Sequence, residues 1–189
     1  MKIVPQKVST SRSTMAIEYS KKALDIRLKI DPKHPDVAKS YLAIGEAHVS
    51  KGEYDKAIEN YNEAIRLDPE NPDCLADRGK AYYLKEEFDM AIENHDKAIS
   101  INPENAEYWY FRGAAYEDKG EYEKDIENYD EAIRIEPEEP GYLCDRGTAY
   151  AQTGELDLSI KDYDEAIRIN PENAFYWYCL LYTSDAADE

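Results

Sequence analysis

The residue types that most often carry metal or nucleophilic chemistry are few and scattered in this chain. The three histidines and three cysteines are His34, His48, His95, Cys74, Cys144 and Cys179. None of them forms the closely spaced pairs by which zinc sites are recognised, and an odd number of cysteines argues against a disulfide framework. We therefore expect no metal, no cofactor and no catalytic residue, and we place the protein in a reducing compartment, the cytoplasm.

Carboxylates are abundant in this chain, and their number limits the functions that the sequence can have. The 189 residues include 41 Asp and Glu against 23 Lys and Arg, which gives a formal net charge of −18. With so many acids, no pair of carboxylates stands out as a catalytic pair, and we predict that the chain is not an enzyme. Its negative charge also argues against a nucleic-acid partner, because phosphates would be repelled. No apolar run approaches the roughly 18–20 residues that span a bilayer.

The chain repeats itself with a period of 34 residues. The segments KAIENYNEAIRLDPE, MAIENHDKAISINPE, KDIENYDEAIRIEPE and LSIKDYDEAIRINPE follow one another in register. The recurring glycines are Gly45, Gly79, Gly113 and Gly147, and they alternate with recurring Ala and Pro positions. A fixed period in this range is typical of stacked helical or strand repeats rather than of one closed core.

Each repeat is predicted to form two amphipathic helices. In the third repeat apolar and small residues recur every three or four positions up to Gly120, and a second stripe runs to Pro137. Small residues at Gly113 and Ala132 would let the two helix backbones approach closely. Asn71, Asn105 and Asn173 precede the first helices as candidate N-caps, and Pro72 and Pro140 stand at the first helical position.

On these residues the chain resembles the tetratricopeptide-repeat (TPR) family, with large–Gly–Tyr on the first helix and Ala–Tyr–Ala–Pro on the second. The resemblance covers about residues 14–178 and implies an all-α fold, a right-handed α-solenoid of antiparallel helix-turn-helix units. The departures from the pattern are His48 for Tyr, Glu86 for the turn Gly, and Asp125 and Ser159 for a small Ala. Since His48 and His95 stand where sister repeats carry Tyr, we expect them to pack as aromatic side chains.

Boundaries follow from this register. Four complete repeats occupy 38–71, 72–105, 106–139 and 140–173, after a partial repeat at 14–37 and an uncertain N-terminal segment at 1–13. The segment AIEYSKKALDIRLKIDPKHPDVAKSYLAIG resembles the longer repeat of kinesin-light-chain-like TPR arrays. Either 1–13 substitutes for a missing first helix, or the chain is cut from a longer array.

The C-terminal end departs abruptly from the repeat. AFYWY at 174–178 copies AEYWY at 106–110 with one change, so a fifth repeat begins there and is truncated. The following CLLYTSDAADE resembles the translation of a transposase adapter used in preparing sequencing libraries. We therefore interpret 179–189 as an adapter-derived tail and exclude it from functional argument. The alternative is a natural divergent tail.

An ion pair is predicted between the two helices of each later repeat. Arg78, Arg112 and Arg146 share a position that is isoleucine in the first repeat, and Asp96, Asp130 and Asp164 share a position that is asparagine there. Because arginine and aspartate come and go together, we predict within-repeat Arg–Asp pairs of a structural kind. The alternative is an arginine surrounded by water.

The resemblance also implies a binding surface, since the first helices of TPR arrays line a concave wall. Carried over to this chain, the candidate partner-binding residues are Asp73, Asp77, Lys80, Tyr83, Glu107, Tyr110, Phe111, Glu117, Asp145, Phe175 and Tyr178. The wall is acidic around an aromatic middle, which favours a basic partner with apolar anchors. The alternative for Tyr110 and Phe111 is packing between adjacent first helices.

We therefore predict a non-enzymatic scaffold that binds a partner protein, as a peptide or a helix, in this groove. Binding of the acidic C-termini of heat-shock chaperones is disfavoured, because the wall lacks the basic residues that the corresponding TPR proteins use. Two alternatives remain: an accessory TPR region of a larger enzyme such as a transferase, or self-association through the exposed C-terminal end.

Overall fold

Every regular element in the part of the chain that the computed structural model describes, residues 10–187, is an α-helix. The helices are α1 (Thr10–Ile30), α2 (Pro35–Val49), α3 (Tyr54–Leu67), α4 (Pro72–Leu84), α5 (Phe88–Ile101), α6 (Ala106–Asp118), α7 (Tyr122–Ile135), α8 (Pro140–Thr153), α9 (Leu156–Ile169) and α10 (Ala174–Ala187). Most of the predicted segment 1–13 and the end of the predicted tail 179–189 lie outside the described residues. The repeat boundaries themselves stay a prediction.

Two compact modules divide the chain. The N-terminal module covers 1–101 and holds α1 to α5, and the C-terminal module covers 102–189 and holds α6 to α10. Within each module every helix packs against the next one along the chain. In addition α2 touches α4, and α8 touches α10, so alternate helices are also neighbours. Each module is thus a run of helix pairs whose first helices lie side by side.

The first helices begin at the caps that the sequence predicts. The side chains of Asn71, Asn105 and Asn173 each accept a hydrogen bond from a backbone amide two residues further on, at 3.0–3.1 Å. Pro72 and Pro140 open α4 and α8, where a missing amide hydrogen costs nothing. These caps satisfy donors that would otherwise be left without a partner at the helix start.

The turn after a first helix requires a left-handed residue. Gly52, Gly120 and Gly154 adopt φ of 73°, 75° and 84° there, and Glu86 adopts φ of 64° at the same point of its repeat. A side chain in this conformation costs about 1 kcal/mol relative to glycine. The departure noted at Glu86 is therefore a strained position in the N-terminal module.

The recurring glycine of the first helix lies against an aromatic ring of the second. A Cβ atom placed on Gly113 would stand 2.8 Å from Cε1 of Tyr129 and 3.1 Å from Cβ of Asn128. Tyr129 itself is fully buried. The prediction of a close backbone approach at Gly113 is confirmed. At the corresponding place in the N-terminal module, His95 is buried against Gly79, and packing explains that histidine too.

The predicted arginine pairs are wrong in their partners. Arg146 on α8 holds Asp162 on α9 with two hydrogen bonds of 2.8 and 2.7 Å, instead of the expected Asp164. It also donates to Asp130 of the preceding repeat, at 2.6 Å. Successive helix residues are rotated by about 100°, so position 164 lies roughly 200° around the helix from position 162. The aspartate therefore faces the arginine of the next repeat, and Arg146 joins two repeats.

The other two arginines donate to asparagine amides of the second helices. Arg78 donates to Asn94 at 2.8 Å and to Asn62 of the preceding repeat at 2.7 Å. Arg112 donates to Asn128 at 2.7 Å. The arginine position therefore bridges helices in both modules, and the three described bonds of Arg146 all reach carboxylates.

Candidate functional site

The residues predicted to bind a partner lie on first helices in both modules. In the N-terminal module they occupy one side of α4, and in the C-terminal module they lie on α6, α8 and α10. On α4 the set is Asp73, Asp77, Lys80 and Tyr83; on the C-terminal helices it is Glu107, Tyr110, Phe111, Glu117, Asp145, Phe175 and Tyr178. Asp73, Glu107 and Tyr178 are exposed, and the remaining members are half-buried. Their role in binding stays a prediction.

In the N-terminal module this face carries acids close to a buried phenol. Tyr61 of α3 is buried beneath Gly45. Burial raises the pKa of Tyr61, and the charges of Asp77 and Glu46 raise it further. Burial also raises the pKa of Glu46, while the ammonium of Lys80 opposes that effect. Charges on α2 and α4 therefore act on one another across this face.

In the C-terminal module the ring of Tyr110 lies between α6, α7 and α8. Its centroid is 4.9 Å from that of Tyr142, 5.2 Å from Phe111 and 5.8 Å from Tyr129. Its hydroxyl donates to Oδ2 of Asp145 at 2.9 Å. Tyr110 therefore fills the packing role that the sequence left as an alternative, and its side chain stays half-buried.

Two carboxylates of this face are held by phenols. The hydroxyl of Tyr129 donates to Oε2 of Glu117 at 2.9 Å, and Tyr110 holds Asp145 in the same way. Burial raises the pKa of Glu117, the bond from Tyr129 lowers it, and the charge of Asp145 raises it again. Burial likewise raises the pKa of Asp145, against the bond from Tyr110. Both acids thus hold their protons more strongly than exposed carboxylates do.

Beneath these two acids lies a third one, Asp125 on α7. Its side chain is 0% exposed, and neither carboxylate oxygen accepts a hydrogen bond of good geometry. Burial, followed by the charge of Glu117, raises the pKa of Asp125 to about 8, although the backbone amide of Ile126 acts in the opposite direction. We call Glu117, Asp125 and Asp145 the carboxyl cluster of the C-terminal module.

Asp125 was absent from the predicted site residues, although the sequence contains its signal. Sister repeats place Ala57, Ala91 and Ser159 at the same point of the period, and all three are fully buried. A charged residue at a position that is otherwise small and buried marks a functional or strained place in a repeat fold. The sequence identifies the substitution, but the spatial approach of Glu117 and Asp145 appears only in the fold.

Metal binding and thiol reactivity are the chemistries that the scattered histidines and cysteines could carry. Within 10–187, no group of three or more His, Cys, Asp and Glu side chains is arranged to hold a metal ion. Cys74 and Cys144 are buried free thiols, and burial raises the pKa of Cys74 to about 11, away from that of a reactive thiolate. None of the helices described is long and apolar enough to cross a membrane.

A surface depression of about 540 Å³ on α8 and α9 has a structural explanation. Its walls include Arg146 and Asp162, which pair with each other, and Arg168, which pairs with Glu165 at 2.7 Å. Two pairs of its charged residues are thus engaged with each other, one pair across α8 and α9 and one within α9. The first-helix face remains the better candidate site.

Comparison with models of protein families identifies the family of this chain. The TPR repeat model matches 45–86, 79–120 and 113–154, and the tetratricopeptide repeat model matches 141–173. The chain belongs to the tetratricopeptide-repeat family. It is accordingly an all-α solenoid of helix-turn-helix repeats, a scaffold fold that supports a protein-interaction role.

Solved structures of other TPR proteins resemble this one. The crystal structure of MamA has a TM-score of 0.75 and 28% sequence identity, and the similarity covers 93% of this chain and 99% of MamA. YrrB, described as a TPR protein with an unusual peptide-binding site, has a TM-score of 0.71 and 20% identity over 90% of this chain and 84% of its own. No curated protein is significantly similar to the chain in sequence.

Proposed function

We propose that this TPR protein is a non-enzymatic scaffold that binds a basic peptide or helix on the face formed by its first helices. The observation that carries the proposal is the pairing of acids with aromatic rings on that face in the C-terminal module. There the ring of Tyr110 contacts Phe111 edge to face and Tyr142 at a tilt, and its hydroxyl donates to Asp145. Glu117 accepts from the neighbouring phenol of Tyr129. Rings supply apolar anchoring area, and carboxylates favour lysine or arginine on the partner.

The charge of the whole chain supports the same partner. A formal net charge of −18 attracts cationic peptides over a distance, and the attraction weakens as salt shortens the Debye length. The helix caps and packed rings hold the face in place before binding, which lowers the ordering cost on the scaffold side. The peptide-binding site ascribed to YrrB, on the same fold, supports a peptide as the form of the ligand.

A peptide array tests this proposal. Basic–aromatic peptides and acidic twins, with each lysine replaced by glutamate, are spotted together and probed with the labelled full chain. We expect retention on the basic set, with micromolar affinity that falls as salt is raised. Equal retention on both sets, or a preference for the acidic set, would refute the proposed partner chemistry.

Self-association is a second candidate, favoured by one observation on α10. Trp177 and Tyr178, the last two residues of the repeat sequence, are 52% and 56% exposed. In this candidate function a second copy of the chain packs on the exposed aromatic residues of α10. Sedimentation velocity of the full chain, beside the double variant Trp177→Glu, Tyr178→Glu, should show a dimer that the variant loses. Monomers for both at matched concentration would discard this candidate.

We also propose that repeat sequence ends at Tyr178 and that 179–189 is an adapter-derived tail. Trp177 Nε1 donates to the carbonyl of Pro171 at 3.0 Å, as Trp109 does to Pro103 at 2.8 Å, which supports repeat geometry up to this point. The next arginine position holds Leu180, which cannot donate to an aspartate. Sequencing the gene without transposase-made libraries should show repeat-like codons after Tyr178; the same eleven residues would contradict the proposal.

For location we propose the cytoplasm, on the ground that the cysteines are free. Cys74, Cys144 and Cys179 form no disulfide, which suits a reducing compartment. Fractionation of cells that express a tagged chain would test this, and a chain recovered outside the cell would contradict it.

A further inference from the structure

The carboxyl cluster contains an acid that packing does not explain. Asp125 is fully buried in the helix pair α6–α7, at the position where Ala57 and Ala91 pack in the N-terminal module. Neither of its oxygens accepts a hydrogen bond of good geometry. The donor that acts on this carboxyl is the backbone amide of Ile126, in a geometry too poor for a full hydrogen bond. A buried carboxyl so weakly satisfied lowers stability, and alanine would fill the same place at no such cost. We therefore expect the buried carboxyl of Asp125 to interact with a group from outside the helix pair.

The groups that act on Asp125 from the surrounding helices are acidic. Glu117 on α6 exerts the strongest charge effect, and Glu123 on α7 and Asp145 on α8 act in the same direction. The phenol of Tyr129, four residues further along α7, is bonded to Glu117. These charges add to one negative field at the half-buried carboxylates Glu117 and Asp145.

The nearest lysines along the chain are engaged elsewhere. Lys119 Nζ lies 2.9 Å from Glu121 Oε1, and Lys124 Nζ lies 2.5 Å from Glu121 Oε2. Both cations are thus paired with a carboxylate at the turn between α6 and α7. The field of the carboxyl cluster is directed to the partner-binding face, where Glu117 and Asp145 are partly open to solvent.

We propose that the carboxyl cluster is a subsite for the ammonium group of a lysine side chain on the bound peptide. The proposal rests on the function proposed above and gives it a location. Glu117 and Asp145 accept hydrogen bonds from the ammonium, and Asp125 contributes charge from beneath. An ammonium is compact and has three donors that can bond separate carboxylates. A guanidinium is planar and suits bidentate hydrogen bonding to both oxygens of one carboxylate. Tyr110 and Tyr129 already occupy one acceptor position each and hold the two carboxylates in place.

Protonation couples to this binding. In the free chain burial keeps Asp125 protonated at neutral pH, because its pKa is raised to about 8. An ammonium that enters the cluster favours the charged carboxylate, so the proton leaves Asp125 for the buffer. Binding at pH 7 therefore releases a proton. Fewer protons are released per bound ligand at pH values above the pKa of Asp125, where the free chain has already lost this proton.

Carboxyl-carbon NMR on the full chain tests the subsite with three small probes. They are Nα-acetyl-lysine methylamide, which has only the side-chain ammonium, Nε-acetyl-lysine methylamide, which has only the α-ammonium, and Nα-acetyl-arginine methylamide. We expect the first probe to shift the carboxyl signals of Glu117, Asp125 and Asp145 and to lower the pKa of Asp125 by about 1 to 3. Equal effects of the second or third probe would overturn the assignment to a lysine side chain.

Matched variants locate the effect. Glu117→Gln and Asp145→Asn should each weaken binding of the first probe by about tenfold, the loss expected for one charge-assisted hydrogen bond. Glu127→Gln, on the exposed side of α7, removes the same charge and should leave binding within about twofold. Equal losses in all three variants, or probe shifts spread over exposed carboxylates, would show general charge attraction and overturn the subsite.

The outcome separates this subsite from the wider function. Basic peptides retained on the array together with no probe shift in the carboxyl cluster would remove the subsite and leave the scaffold proposal intact. A probe shift in the cluster without any peptide preference would leave the ammonium site and remove the groove function.

Discussion

At the scale of single residues, one side chain accounts for the unusual chemistry of the C-terminal module. Sister repeats bury alanine or serine where α7 buries Asp125. The carboxyl is shielded from water and lies near the negative charge of Glu117, and both conditions disfavour its charged form. A group that titrates at different pH values in the folded and unfolded chain makes stability depend on pH.

The first prediction concerns Asp125→Ala. The pKa of Asp125 is about 8 in the folded chain, and an exposed aspartate has a value of about 3.9. Between these values the folded state holds a proton that the unfolded state has released, so rising pH lowers the free energy of unfolding until about pH 8. Alanine removes this loss. We expect the variant to gain stability, and to gain about 3 kcal/mol more at pH 8.5 than at pH 5.5.

Urea unfolding at the two pH values measures that difference. Glu127→Ala on the exposed side of the same helix is the control and should change the free energy of unfolding by less than about 0.5 kcal/mol at either pH. An equal gain for Asp125→Ala at both pH values would show that the carboxyl does not titrate as its surroundings indicate.

At the scale of secondary-structure elements, the arginine of the first helix ties neighbouring helices together. Arg146 contacts α9 of its own repeat and Asp130 on α7 of the preceding one. Its side chain is 18% exposed and that of Asp162 is 6% exposed. A pair this buried is costly to break, because the remaining partner keeps its charge without water.

The second prediction therefore compares two arginines. Arg146→Met should lower the free energy of unfolding by about 3 kcal/mol, since Asp162 is left buried without its cation. Arg168→Met, which removes a side chain that is 59% exposed, should cost at most about 1 kcal/mol. Urea unfolding of both variants gives the comparison. Equal losses would contradict a special role of the Arg146 pair.

The third prediction concerns the close approach of α6 and α7. Gly113→Ala places a methyl group against the ring of Tyr129 and should lower the free energy of unfolding by about 1–3 kcal/mol. Gly141→Ala is the control, because its Cβ would meet only the side chain of Glu139. Thermal melting of both proteins reports the result. A melting temperature for Gly113→Ala that equals the control would contradict the packing described.

Much of the element-scale structure is predictable from the sequence. The 34-residue period predicts the helix pairs, the asparagines predict where the first helices begin, and Gly113 predicts the close approach of two helices. These are local requirements that hold in any repeat of this kind. The partner of Arg146 was predicted wrongly, because the period fixes a residue's place on its helix and leaves open which neighbouring repeat a long side chain reaches. The raised pKa of Asp125 likewise depends on charges brought close by folding.

At the scale of the whole molecule, net charge and local charge make different predictions. A chain with a formal net charge of −18 attracts any cation, whichever face carries the acids. A specific scaffold should lose its partner only when acids of the first-helix face are changed. Variants that alter the net charge equally on different faces distinguish these two explanations.

Isothermal titration of the basic peptide selected on the array, against two charge-reversed variants, is the most direct test of the proposed scaffold. Asp73→Lys with Glu107→Lys changes first helices, and Glu59→Lys with Glu127→Lys changes exposed positions of second helices by the same net charge. We predict that the first pair weakens binding by more than about tenfold and the second by less than about threefold, since charge acts mainly within a Debye length. Equal weakening by both pairs would contradict binding on the first-helix face.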